Sequence, residues 1–345
     1  MTLSPIAPPE ESFVKYPASW YLFASAREIG KNPVSKKILG KELVAFRTSV
    51  GEVVVMTGQC SHLGASLAGG CVENDTIRCP YHGWRYGADG QCLEIPGQKA
   101  VPVFARQISF PVKERNGFIF FFNGPKASFD LPFFIGENAN EYSAGGHFDF
   151  NAGCRWYMLA AHAFDQRHIE YVHERQLLSS LEIDQPAPHA RRAVHTSLVV
   201  GESKFDRIIR LALGKKVTIS MTVWGGNMVL VEGNFKKARS RFFLMATPQE
   251  DGTSQVDGII FIRKTGIRIF DSVWGPLNFA IRRWFTSGYL LNELNDLRTH
   301  IYRAGALGEQ DQKLIEYFHW VSKVAAPRLA PVENQPVAGP LEARG

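Results

Sequence analysis

Two short stretches of this sequence each pair a thiolate with an imidazole. Cys60 and His62 are separated by one residue, Cys79 and His82 by two, and residues 63–78 lie between the pairs. A tetrahedral zinc site can use two Cys and two His, but zinc fingers usually group Cys with Cys and His with His. One thiolate and one imidazole per loop suits a [2Fe–2S] cluster in which one iron takes both sulfurs and the other takes both imidazoles. Gly64, Pro80 and Gly83 are residue types that a tight ligand loop needs where backbone must approach sulfur closely.

Further along, "HAFDQRHIEYVHE" carries Asp165, His168 and His173 in an Asp-x2-His-x4-His spacing. Asp165 and His168, three apart, share a face of a helix. His173 lies about 140° round an ideal helix from His168, so the two converge only where the helix ends or bulges. Two histidines and a carboxylate with open positions bind Fe(II) and leave room for dioxygen. Taken alone, the same spacing also fits an ordinary amphipathic helix.

The elements that must position these residues differ along the chain. From Glu42 to Gly124 short β-rich runs alternate with turns at Gly51, Asp89-Gly90 and Asn116-Gly117, which predicts closely spaced hairpins and a small all-β unit carrying the first motif on two loops. "NGPKASFDLPFF" breaks the pattern. A helix is expected from about 154 to 174, strands at 191–200, 217–223, 228–236, 240–247 and 256–263, and helices at 267–304, interrupted at Gly275-Pro276, and 310–324. The order helix, sheet, long helices predicts an α+β second domain. The expected division is 1–125, 126–325 and a tail at 326–345.

The 345 residues are 45% hydrophobic and 21% charged, with a net charge of +6 spread along the chain. That charge reads as a solvated surface, or as a docking face for an acidic electron donor. No basic block with interleaved aromatics points to nucleic acid. No basic region followed by an apolar core opens the chain, and no apolar run approaches a spanning helix, so a cytoplasmic protein is expected. Five cysteines, an odd and sparse set, do not form a secreted disulfide framework.

"CSHLGASLAGG" with "CPYHGWRYGADGQC" resembles the Rieske domain of Rieske non-haem iron oxygenases of the ring-hydroxylating α-subunit type. Respiratory Rieske proteins add a disulfide whose cysteines would fall at Ala65 and Tyr81, and this chain lacks both. The resemblance implies an N-terminal all-β Rieske [2Fe–2S] domain held by Cys60, His62, Cys79 and His82, and a C-terminal helix-grip (START-like) catalytic domain with an antiparallel sheet. It makes His168 and His173 ligands of a mononuclear Fe(II), and Asp165 the carboxylate bridging an iron histidine to a Rieske histidine of a neighbouring subunit. The family's third ligand, an Asp at the start of a C-terminal helix, falls on Asp311, with Glu309 as the fallback. His162 stands where the family often has Asn, as an added polar contact, a proton donor or a packed core residue.

The expected function is oxidation of an apolar ring-containing small molecule by dioxygen, as hydroxylation or aryl-amine N-oxygenation, with sterol or ketosteroid oxygenation as a looser likeness. Electrons ultimately from NAD(P)H would arrive through a separate reductase or ferredoxin, and the family implies a homotrimer. The rival reading is a Rieske electron carrier with a non-catalytic second domain. Met221, Val223, Trp224, Met228 and Val231 lie on strands that either line an apolar pocket or fill the core. Arg263, Lys264, Arg268, Arg282 and Arg283 flank an apolar segment read as a helix packed on the sheet, and no membrane contact is expected.

Overall fold

The computed structural model describes residues 6–297 and 300–325, with backbone alone at 268 and 291–297. The tail read at 326–345 lies outside the described residues.

From Trp20 to Phe122 the chain folds into three small antiparallel sheets. One joins Trp20–Ser25, Phe118–Phe122 and Val112–Arg115, and a second joins Val34–Ile38, Lys41–Arg47, Val53–Thr57 and Ser109–Phe110. The third, Cys71–Glu73, Thr76–Arg78, Arg85–Tyr86 and Cys92–Glu94, carries the ligand loops. The expected Asn116-Gly117 turn has φ of 50° and 81°, the left-handed pair that a two-residue hairpin turn requires.

The second part is built on eight antiparallel strands. Their order is Tyr142–Asn151, Ser254–Arg263, Arg239–Pro248, Met228–Phe235, Lys216–Trp224, Ala190–Val199 and Arg175–Leu177, with Glu182–Ala187 also paired to Ala190–Val199. Successive side chains of a strand face opposite ways, and that alternation makes this sheet a partition. Val229, Val231 and Phe235 face a cavity on one side. Met228 and Leu230 face the other, packed with Trp20, Phe120 and Phe122 of the N-terminal part.

Among the described residues five α-helices complete the fold: α1 (Trp156–Ala161), α2 (Gln166–Tyr171), α3 (Lys204–Ala212), α4 (Arg268–Leu297) and α5 (Gln312–Val324). The expected single helix at 154–174 is α1, a 3-10 turn at His162–Phe164 and α2, because Asp165 takes extended backbone (φ −102°, ψ 102°) and restarts the helix as its N-cap. α4 runs through Gly275-Pro276 without the expected interruption. α5 buries Ile315, Tyr317, Phe318 and Val321, each worth about 1.5–3 kcal/mol of burial. Phe164 stacks on Tyr317 at 4.7 Å, which docks the start of α5 beside the segment carrying Asp165.

Candidate active site

The two Cys/His loops share one backbone plan. Cys60 N–H donates to Ala65 O (2.9 Å) and Gly64 N–H returns to Cys60 O (2.8 Å). Cys79 N–H donates to Trp84 O (2.8 Å) and Gly83 N–H returns to Cys79 O (3.1 Å). Gly64 and Gly83 close these turns at φ of 74° and 69°, conformations that side chains rarely adopt. The thiols of Cys60 and Cys79 are buried at 3% exposure, whereas His62 and His82 are exposed. The imidazoles face each other, Nδ1 to Nδ1 at 3.1 Å, with His62 stacked on the buried Trp84 at 4.6 Å. Tyr86 places its hydroxyl 3.0 Å from Cys60 Sγ, and burial pushes the Cys60 thiol pKa up. Two sulfurs inside and two ring nitrogens outside, converging from a matched pair of loops, fit a cluster with one iron buried and one at the surface.

The second motif opens onto a cavity of about 470 Å³ between the sheet and helices α3 and α4. His162, His168 and His173 all lie on its wall. α2 ends at Tyr171, and His173 N–H bonds back to His168 O at 3.3 Å, a wide final turn that swings His173 round. The rings of His168 and His173 therefore stand 4.8 Å apart at 89°, the convergence a helix end was expected to give. His162 stacks on His168 at 4.2 Å.

Behind His173 runs a polar chain that the sequence reading missed. Tyr289 Oη lies 3.1 Å from His173 Nδ1 and accepts from Arg175 at 2.8 Å. Arg175 also donates to His173 O and pairs with buried Asp206 at 2.9 Å. His195 is a further wall residue, 4% exposed, and burial lowers its pKa to about 4. The rest of the wall is largely aliphatic and aromatic, with Ile209, Leu213, Ile219, Phe242 and Phe285. Met221 and Val231 reach the cavity, while Val223 packs in the core beside it and Met228 on the sheet's other side.

Asp165 caps α2, accepting from Arg167 N–H (2.9 Å) and His168 N–H (3.1 Å). Asp165 and Asp311 line a separate hollow of about 490 Å³, together with Glu170 and Glu316. The Asp311 carboxylate accepts from Gly308 N–H at 2.9 Å. Among the described residues, no three His, Cys, Asp or Glu side chains close on a single point at metal-binding spacing. The histidine pair offers two neighbouring imidazoles with ring centroids 4.8 Å apart.

A buried-thiol, exposed-imidazole iron–sulfur loop pair joined to an apolar cavity with histidines in its wall defines a two-part redox protein. Residues 19–105 match the Rieske [2Fe–2S] domain family. The chain is 26% identical over 341 residues to aminopyrrolnitrin oxygenase of Pseudomonas fluorescens, covering 90% of this chain and 93% of that one. It is 29% identical to the oxygenase component of a 3-ketosteroid-9-alpha-monooxygenase of Rhodococcus rhodochrous over 46% of this chain and 44% of that one. Among solved structures, dicamba monooxygenase bound to 3,6-dichlorosalicylic acid shares the fold, with TM-score 0.66, 19% identity and coverage of 89% of this chain and 97% of that one. Residues 19–105 are therefore a Rieske [2Fe–2S] domain, and the chain as a whole, an oxidoreductase, is similar to named oxygenases over most of its length. The matched domain is one that carries a [2Fe–2S] cluster.

Proposed function

We propose that this enzyme uses dioxygen to oxidise an apolar, ring-containing small molecule, by hydroxylation or by N-oxygenation of an aryl amine. The observation that carries the reading is the apolar cavity of about 470 Å³ whose wall includes His168 and His173. Its volume falls in the range of small-molecule sites, and an electron carrier has no use for it. The names of both curated relatives denote ring compounds, one an aryl amine and one a ketosteroid.

In this proposal Cys60 and Cys79 hold the inner iron of the cluster, and His62 and His82 hold the outer one. His168, His173 and Asp311 hold the mononuclear iron, which supplies dioxygen activation when bound. Asp311 lines the separate hollow, with one carboxylate oxygen accepting from Gly308 N–H, so it must turn toward the histidine pair with its other oxygen. The Tyr289–Arg175–Asp206 chain fixes the ring plane of His173. The aliphatic wall holds substrate and excludes water, which keeps the reducing equivalents for the bound molecule. Asp165, on the outward hollow, faces the exposed His62/His82 pair of the next subunit in a cytoplasmic homotrimer that a separate reductase or ferredoxin recharges. The proposed domains are 1–125 and 126–325.

Iron counting tests the assignment. Wild-type protein should hold about three irons per chain, two of them in the cluster. Asp311→Ala should lose about one while the cluster's visible absorption is retained. Unchanged iron content in that variant rejects Asp311 as the third ligand. Wild-type protein that holds only cluster iron, and consumes no dioxygen with aromatic amines or ketosteroids, is an electron carrier instead.

A further inference from the structure

Six large apolar side chains of α4 are each more than half exposed: Ile269, Val273, Trp274, Leu277, Ile281 and Trp284. At about 100° per residue they fall within an arc of about 140° on the helix. The opposite side of α4 is the packed one. There the Phe279 ring lies 3.3 Å from where a Cβ on Gly145 would stand, and Arg282 bonds to Arg239 O at 3.0 Å. The expected docking of this segment on the sheet therefore uses one face and leaves an apolar face outward.

We propose that this outward face seats the enzyme on the headgroup plane of an anionic lipid bilayer, so that an apolar substrate enters the cavity from the lipid. Charge singles out the occupant. Between Arg263 and Trp284 the sequence has five cationic residues and one acid, Asp271; Arg263 pairs with Glu141 at 2.6 Å and Arg282 lies on the packed side, which leaves Lys264 and Arg283 exposed beside the face. Asp271 is engaged by the Thr265 hydroxyl at 2.7 Å and N–H at 3.0 Å. Beyond the helix, the exposed turn at Lys236, Lys237 and Arg239 adds cations, and Arg239 itself lines the cavity. An apolar helix face containing Trp and bordered by Lys and Arg has the chemistry of an interfacial helix. The cations oppose a face-to-face pairing of two copies, and in a ring of three, where unlike patches meet, a subunit interface here would need a different patch on the neighbour. No helix among the described residues is long and apolar enough to cross a membrane, so the contact lies along the surface.

The face leads to the site. Ile281 and Trp284 belong to both the exposed stripe and the cavity wall, and Leu213 at the end of α3 lines the same wall. Leu211, 85% exposed, extends the apolar surface onto α3. Lipid binding itself does not depend on the reaction proposed above.

Co-sedimentation with phosphatidylcholine vesicles, with and without phosphatidylglycerol, tests it on the intact holoenzyme. Wild-type protein should pellet with the anionic vesicles, and high salt should weaken binding by about tenfold. Ile269→Ser/Val273→Ser/Leu277→Ser, at three positions that do not line the cavity, should weaken it by at least about tenfold with the circular dichroism and cluster absorption unchanged. In wild-type protein, brominated lipid should quench Trp274 and Trp284 fluorescence, and this readout decides the matter if the triple variant does not fold. Absence of both pelleting and quenching overturns the proposal. So does sedimentation velocity showing that the triple substitution breaks apart an oligomer the wild type forms, because the face is then a subunit interface.

Discussion

His195 stands in the cavity wall on strand Ala190–Val199, with an Nδ1 that has no hydrogen-bond partner among the described residues. Burial lowers its pKa from 6.5 to about 4, with the positive charge of Arg175 acting in the same direction. The unfolded chain therefore binds this proton below about pH 6.5 while the folded chain resists it until about pH 4. Stability is fully present above pH 6.5 and is lost as pH falls toward 4, by about 3 kcal/mol from this group. Thermal melts between pH 7 and pH 4 should show a steeper fall for wild type than for His195→Asn, and parallel curves would refute the assignment. The Cys/His pairs and the Asp165–His173 segment were readable in the sequence because their spacing is local. The chain behind His173 was not, because Tyr289 meets Arg175 across 114 residues, a distance no spacing rule covers.

Between elements, the roof of the cavity depends on how closely α3 approaches α4. Gly288 of α4 lies under Phe205 of α3, and a Cβ there would stand 2.6 Å from the ring's Cζ. Phe205 is also packed edge-on to Phe285 at 5.4 Å, so the ring cannot swing away cheaply. Gly288→Ala should cost about 1–3 kcal/mol by forcing the helices apart, visible as a lowered Tm, whereas an unchanged Tm would mean that the roof is loose. Elements with a strong composition signal were legible: five strands came within a few residues of their expected limits because each is a run rich in Val, Ile, Phe or Thr, the central ones buried on both faces of the sheet. The edge strand Tyr142–Asn151 was not, because Gly145 and Gly146 dilute its pattern and its pairing register slips between Gly145 and Phe148. Those same glycines make room for Phe279 of α4, so the feature that hid the strand is the one that seats the helix. α3 was missed although Ser203 caps it by accepting from Asp206 N–H.

On the scale of the whole molecule, the two centres are built on different sheets, and what each presents to the outside decides how they cooperate. The cluster loops expose His62 and His82, while Asp165 lines a hollow distinct from the substrate cavity. Sequence order gives the succession of the two centres but not which copy serves which, since that depends on packing between chains. If electrons cross from one subunit's imidazoles to the next subunit's Asp165, centres broken in different chains must complement each other. On the proposed assignments His82→Ala removes a cluster ligand and His168→Ala an iron ligand of a homotrimer, so homogeneous preparations of each should consume no dioxygen with substrate. Co-expressed and purified through two different tags, mixed trimers regain a working site wherever an intact mononuclear site faces a neighbour with an intact cluster. Every two-to-one ring of three contains one such pairing, so mixed trimers restore about a third of the sites. Dioxygen uptake near that fraction of wild type supports transfer between chains. No uptake from mixed trimers that carry both tags places the transfer within a single chain and removes the bridging role of Asp165.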